Sequence, residues 1–135
     1  MGGVILDTSI LIEAERGRLD LATFAAAHPE TPIAIAAITV AELLNGVARV
    51  GDPARQARLA AFLEAIIVAI PVLPFGLLEA RRHAEAAVAL SRQGKPIGPH
   101  DLLIAATALA HGFAVATRNQ EEFSRVPGLE VAPAT

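Results

Sequence analysis

The stretch Val4-Ile5-Leu6-Asp7-Thr8-Ser9 limits what this chain can fold into more than any other. Three large aliphatic residues in succession leave no polar face, which is the pattern of a strand covered on both sides within a parallel sheet. A carboxylate follows at once, and Ile10 to Glu15 then read as a helix. Asp7 therefore falls where a strand ends and a helix begins, the edge at which open α/β sheets bind their ligands.

The rest of the chain repeats the alternation. Leu19 to Ala27 reads as a second helix, broken near His28-Pro29, and Ile33 to Ala36 as a second strand. A helix over Ile38 to Leu44 follows, with Asn45-Gly46 either closing it or admitting another backbone. Asp52-Pro53 opens a longer helix, Asp as N-cap and Pro in the first turn, whose stripe of Leu59, Phe62, Leu63, Ile66, Ile67 and Ile70 is amphipathic. Val72-Leu73, between two prolines, is a short third strand, and a helix from Leu77 to Arg92 ends at Gly94. Leu102 to Ala110 is apolar nearly all round, which predicts a helix buried between layers and terminated by Gly112. Phe113 to Ala116 is the fourth strand, Asn119 to Phe123 a helical turn, and Leu129 to Val131 a weak edge strand. Strands alternating with helices predict a three-layer α/β domain over residues 1–135, with a central, mainly parallel sheet of four to five strands flanked by helices.

Composition narrows the function. Without Cys, thiolate metal sites, Cys nucleophiles and disulfides are all excluded. A net charge of −3 argues against a general nucleic-acid coat and leaves room for a local basic rim from residues such as Arg16, Arg18, Arg55 and Arg118, although a solvated helix face is their commoner role. The apolar share of 53% predicts surface covered by a partner, most simply a second copy. The Met1-Gly2-Gly3 start lacks the positive region of a signal peptide, and no uncharged run approaches a membrane span, so a cytoplasmic protein without membrane contact is expected. The histidines at 28, 83, 100 and 111 make no ligand cluster and read as surface or loop residues, His100 being a partial exception because it adjoins Asp101.

The acids carry the chemical signal. Asp occurs only at 7, 20, 52 and 101, and Asp7 and Asp101 each stand before a strongly apolar helix, where an N-cap role would account for them. Glu42 has an equally ordinary reading, since Thr39-Val40-Ala41-Glu42 fits a capping box. Parallel topology can also bring all three to one edge of the sheet. Their mutual repulsion would then need a hard divalent cation such as Mg2+ or Mn2+, which accepts carboxylates, water and phosphate oxygens. The residues alone leave the metal pocket and the three separate caps equally open.

Four segments in order resemble a known family: Ile5-Leu6-Asp7-Thr8-Ser9, Thr39 to Gly46, Ile97 to Ala108 and Val115-Ala116-Thr117-Arg118-Asn119. Together they are similar to the motifs of PIN-domain ribonucleases, and more narrowly to the VapC-type toxins of toxin–antitoxin pairs. The resemblance implies that Asp7, Glu42 and Asp101 hold Mg2+ or Mn2+ and activate water. It implies that Asn119 fills a fourth site position, often Asp in the family, with Glu122 able to supply the charge that Asn lacks. Thr8 and Thr117 match small hydroxyl positions lining the pocket. The implied reaction is cleavage of RNA at restricted sites, leaving a 5′ phosphate, by a homodimeric toxin held in check by a small antitoxin. The rival reading is a non-catalytic interaction domain of the same fold that uses its apolar surface for assembly.

Overall fold

The computed structural model describes residues 2–133, so Met1, Ala134 and Thr135 of the expected 1–135 domain lie outside the described residues. Five strands, β1 (Val4–Leu6), β2 (Ile33–Ala36), β3 (Val72–Leu73), β4 (Ala114–Ala116) and β5 (Val131–Ala132), form one sheet in the order β3-β2-β1-β4-β5. Every neighbouring pair is parallel, with Val4 opposite Ile33 on one side and Ala114 on the other. The expected buried strand is thus the central one. The chain builds outward from β1 through β2 to β3, then returns to β1's other side with β4, which puts the topological switch between β1 and β4.

The pleat sorts residues into two cores. Val4, Leu6, Ile35, Ala114 and Ala116 pack with Ile10 and Leu11 of α1 (Thr8–Glu15), Phe24 of α2 (Leu21–Ala27) and Ile66 of α4 (Pro53–Ala69). Ile5, Ala36 and Val115 face the other way, onto Ala86 and Leu90 of α5 (Leu77–Gln93), Ile104, Ala105 and Ala108 of α6 (Pro99–His111) and Phe123 of α7 (Gln120–Ser124). Helix α3 (Ala37–Ala48) reaches both layers, through Val40 and Leu43 on one and Ile38 on the other. Alanine supplies much of the contact between sheet and α6, and a methyl group lets a helix approach a strand closely. Among the described residues no helix is long and apolar enough to cross a membrane.

Several local expectations are corrected. No capping box forms at Thr39: β2 runs straight into α3 with Ala36 as N-cap, so Thr39 is buried in the first turn and Glu42 lies inside the helix. Asn45-Gly46 neither ends α3 nor meets another backbone, since the helix continues to Ala48 and a Cβ on Gly46 would touch nothing within 4 Å. Helix α6 starts at Pro99, because proline tolerates the first helical position, and Asp101 sits in the first turn while Gly98 occupies the cap. His111 is not a plain surface residue: its Nε2 lies 2.9 Å from Oε2 of the buried Glu79, whose other oxygen accepts the Gly76 amide at 2.8 Å. The expected cap at Asp52 does form, accepting the Arg55 amide at 3.0 Å, and Asp20 caps α2, a role the sequence reading did not assign.

Candidate active site

The site is assembled at the C-terminal edge of the three middle strands. β1 delivers Asp7 and β4 delivers Thr117, while α3, leaving β2, carries Glu42. Asp7 is 3% exposed and doubly restrained: Ser9 Oγ donates to Oδ1 at 2.5 Å, Thr117 Oγ1 donates to Oδ2 at 2.5 Å, and the Ile10 amide adds a longer bond of 3.3 Å. Burial nonetheless raises the Asp7 carboxyl above its ordinary range, the hydrogen bonds offsetting only part of the lost hydration.

Glu42 is positioned by a neighbour of Asp7. Thr8 Oγ1 donates to its Oε1 at 2.8 Å, and His100 Nδ1 lies 3.0 Å from its Oε2. Asp101 completes the group. Its carboxyl is pushed up to about 6, first by burial and then by the charges of Glu122, Asp7 and Glu42. That mutual influence is the electrostatic signature of acids gathered on one hollow.

Asn119 does not cap α7 with its side chain. Its amide nitrogen turns instead to Glu122 Oε2 at 2.5 Å and, more weakly, to Asp101 Oδ2 at 3.5 Å, while its backbone N–H donates to Thr117 Oγ1 at 2.8 Å. Glu122 is held below the usual carboxylate range, mainly by the Gly98 amide at 2.6 Å and then by Asn119. The expected residues Asp7, Glu42, Asp101 and Asn119 thus stand together, and Glu122 stands with them. The sequence reading missed Ser9 and the contact of His100 with Glu42. A hydroxyl two residues beyond a buried acid is a recognisable local acceptor pattern, whereas the His100 contact depends on how α6 docks against α3.

A donor set of carboxylate oxygens suits a hard divalent cation. Among the described residues, no three His, Asp or Glu side chains are by themselves arranged to hold a metal ion. The carboxylates of Asp7, Glu42 and Asp101 would need water and phosphate oxygens to complete a coordination shell, ligands that Mg2+ accepts.

Thr8 and Glu42 also border a groove of about 350 Å3 between α1, α3 and α4. Its walls are mostly apolar, including Leu11, Leu43, Val47 and Phe62, with Arg16 and Arg55 among its polar residues. Gly46 lines it too, which accounts for the open space above that glycine. Of the other arginines, Arg18 lies 3.3 Å and Arg118 3.8 Å from Glu13, Arg118 at the rim of the acid cluster.

Comparison with known proteins agrees with this geometry. The family model described as PIN domain matches residues 4–129. Ribonuclease VapC1 of Rickettsia felis is 40% identical over 129 residues, covering 96% of this chain and 94% of that protein. The tRNA(fMet)-specific endonuclease VapC of Shigella flexneri is 35% identical over 95 residues, 70% of each chain. The crystal structure of DNA-bound VapBC from Salmonella typhimurium superposes with a TM-score of 0.88 at 28% identity, covering 100% of both chains.

Proposed function

The chain belongs to the PIN-domain family as a VapC-type ribonuclease, and from that membership we propose that Asp7, Glu42 and Asp101 are the acids through which it cleaves RNA with Mg2+ or Mn2+. It is the toxin of a toxin–antitoxin pair, and Asn119 serves the site by orienting neighbouring acids. The observation that carries this reading is the tie between these elements at one sheet edge: Thr117 bonds Asp7, Thr8 next to Asp7 bonds Glu42, and Asn119 reaches Asp101. Acids concentrated in this way are costly unless a cation is bound among them.

When bound, the ion supplies Lewis acidity, making water a stronger acid and stabilising charge on a phosphodiester. The protein's share is preorganisation. Ser9 and Thr117 fix both oxygens of Asp7, Thr8 fixes Glu42, and Asn119 ties Asp101 to the α7 side of the site. These restraints reduce the reorganisation needed when a phosphate arrives. Arg118, exposed beside Thr117, is suited to meet the backbone of the RNA.

Two partners follow. The apolar groove continuous with Thr8 and Glu42 is the place for an antitoxin segment, which from there blocks the acids. Val72, Phe75, Leu77 and Leu78 leave an exposed apolar surface along β3 and the start of α5, which we assign to pairing with a second copy.

The deciding experiment incubates the purified protein with total RNA and Mg2+ or Mn2+. Asp7→Asn, Glu42→Gln and Asp101→Asn should each cut the cleavage rate by more than about 100-fold, beyond what loss of an outer partner costs a metal site. Chelator should abolish cleavage of the unsubstituted protein. Cleavage that persists in chelator and in Asp7→Asn would sink the metal reading, and intact RNA under every condition would favour the non-catalytic interaction domain.

A further inference from the structure

We infer that Glu122 is a positioning residue for Asp101, acting as a remote cap on helix α6. The inference rests on the reading of Asp101 as a ligand given above.

Helix α6 begins without a cap from its own sequence. Gly98 occupies the N-cap position and has no side chain to offer the exposed amides of the first turn. Glu122, 24 residues later, supplies one oxygen to that segment: Oε1 accepts the Gly98 N–H at 2.6 Å. Its other oxygen, Oε2, accepts Nδ2 of Asn119 at 2.5 Å. One oxygen thus holds the backbone N–H that opens α6 while the other holds Asn119, and Asn119 extends the same link to Asp101 Oδ2 at 3.5 Å.

The two carboxylates meet at the start of α6. A Cβ added to Gly98 would lie 3.6 Å from both Asp101 Oδ2 and Glu122 Oε1, so the two carboxylates flank the same backbone atom. Glu122 thereby fixes where α6 starts relative to α7, and Asp101, in the first turn of α6, moves with that start. A carboxylate that accepts two short charge-assisted bonds is restrained in both angle and distance. Partners of this kind behind a ligand typically govern metal affinity by 10- to 100-fold.

The test uses Mn2+ as probe, its dissociation constant measured by electron paramagnetic resonance on the full chain, with Asp101→Asn as the ligand control. Glu122→Gln keeps an oxygen for the Gly98 amide but turns an NH2 toward Asn119, so it should weaken Mn2+ by less than Glu122→Ala does. Glu122→Ala removes the cap and should weaken Mn2+ by about tenfold or more. The 15N-1H resonance of Gly98 gives a second readout: its amide proton should move upfield in Glu122→Ala and largely return in Glu122→Gln. Thermal melts confirm that each variant is folded at the temperature used. If Glu122→Gln loses Mn2+ as fully as Asp101→Asn, Glu122 is a ligand and the inference is overturned. Native affinity or an unmoved Gly98 resonance in Glu122→Ala would overturn it equally, leaving the proposed function intact. An unsubstituted chain that does not bind Mn2+ would defeat the metal reading and this inference together.

Discussion

Thr117 Oγ1 lies 2.5 Å from Asp7 Oδ2, a hydrogen bond across 110 residues of sequence that ties the end of β4 to the end of β1. The same oxygen accepts the Asn119 backbone N–H at 2.8 Å, so one hydroxyl connects the buried acid to the loop carrying Asn119.

Thr117→Val keeps the shape and deletes that hydroxyl. A buried carboxylate oxygen and a backbone N–H then each lose a partner, a loss of about 1–3 kcal/mol measurable by urea unfolding. The Thr117 bond lowers the Asp7 pKa, so its removal lets burial raise that pKa further. The acid limb of the cleavage–pH profile should move to higher pH, and a profile that stays in place would contradict this role for the hydroxyl.

The Asp101 carboxyl, pushed up to about 6 from 3.8, predicts how the metal-free protein responds to pH. Because folding raises this acid's pKa, its contribution to stability is fully present below about 4 and is lost as pH rises through about 6. Solvent screening of a half-buried group reduces the effect to about 1–2 kcal/mol. Glu122, whose pKa folding lowers, works in the opposite direction as pH falls through its folded value, so the contrast between native and Asp101→Asn isolates the Asp101 share. In chelator, the melting temperature of native protein should drop more than that of Asp101→Asn between pH 4.5 and 7, and Mn2+ should remove much of the native drop. Parallel melting curves would count against the crowded-acid description.

Gly46 separates groove from fold. It sits inside α3 with open space where a Cβ would stand, so Gly46→Ala should stabilise the protein by about 0.5–1 kcal/mol. Gly46→Phe should fill the groove and weaken the cognate antitoxin at least tenfold, about 1.4 kcal/mol, while RNA cleavage continues. Calorimetric titration with the antitoxin and a cleavage assay on the same sample check both halves. Undiminished antitoxin affinity in Gly46→Phe would place the antitoxin elsewhere.

The apolar surface at the start of α5 gives a fourth expectation. Leu77 is 70% and Leu78 54% exposed, beside Val72 at the sheet edge. Replacing both leucines by Asp should convert a dimer to a monomer in light scattering coupled to size exclusion, with the circular dichroism spectrum unchanged. A dimer that survives the double substitution would rule out this face.

Most of the architecture was legible because periodicity and punctuation agree with it. Val4 to Leu6 has no polar face and is the central strand; Asp52-Pro53 and Gly94 bound their helices where turn chemistry says they should. Errors came where tertiary structure replaces a local signal. Thr39 looks like an N-cap only if a loop precedes it, and here β2 passes directly into α3. Asp101 looks like a cap only if Pro99 lies outside the helix, yet proline is tolerated as its first residue. The three acids were visible as isolated residues, but their meeting depends on strand order, which no short window encodes. The bond from Glu122 to Gly98 was invisible for the same reason: its donor is a backbone amide 24 residues away.

The alanines packed between the sheet and α6 reach further than their size suggests. Ala36, Ala105 and Ala108 are completely buried, and Asp101 sits on the same helix as the last two. Enlarging one of these methyls by a single branch would press α6 outward and carry its acid away from Asp7 without touching any polar atom. Attenuated forms of this toxin can therefore arise from substitutions buried in the hydrocarbon interior, with every residue of the acidic site left unchanged.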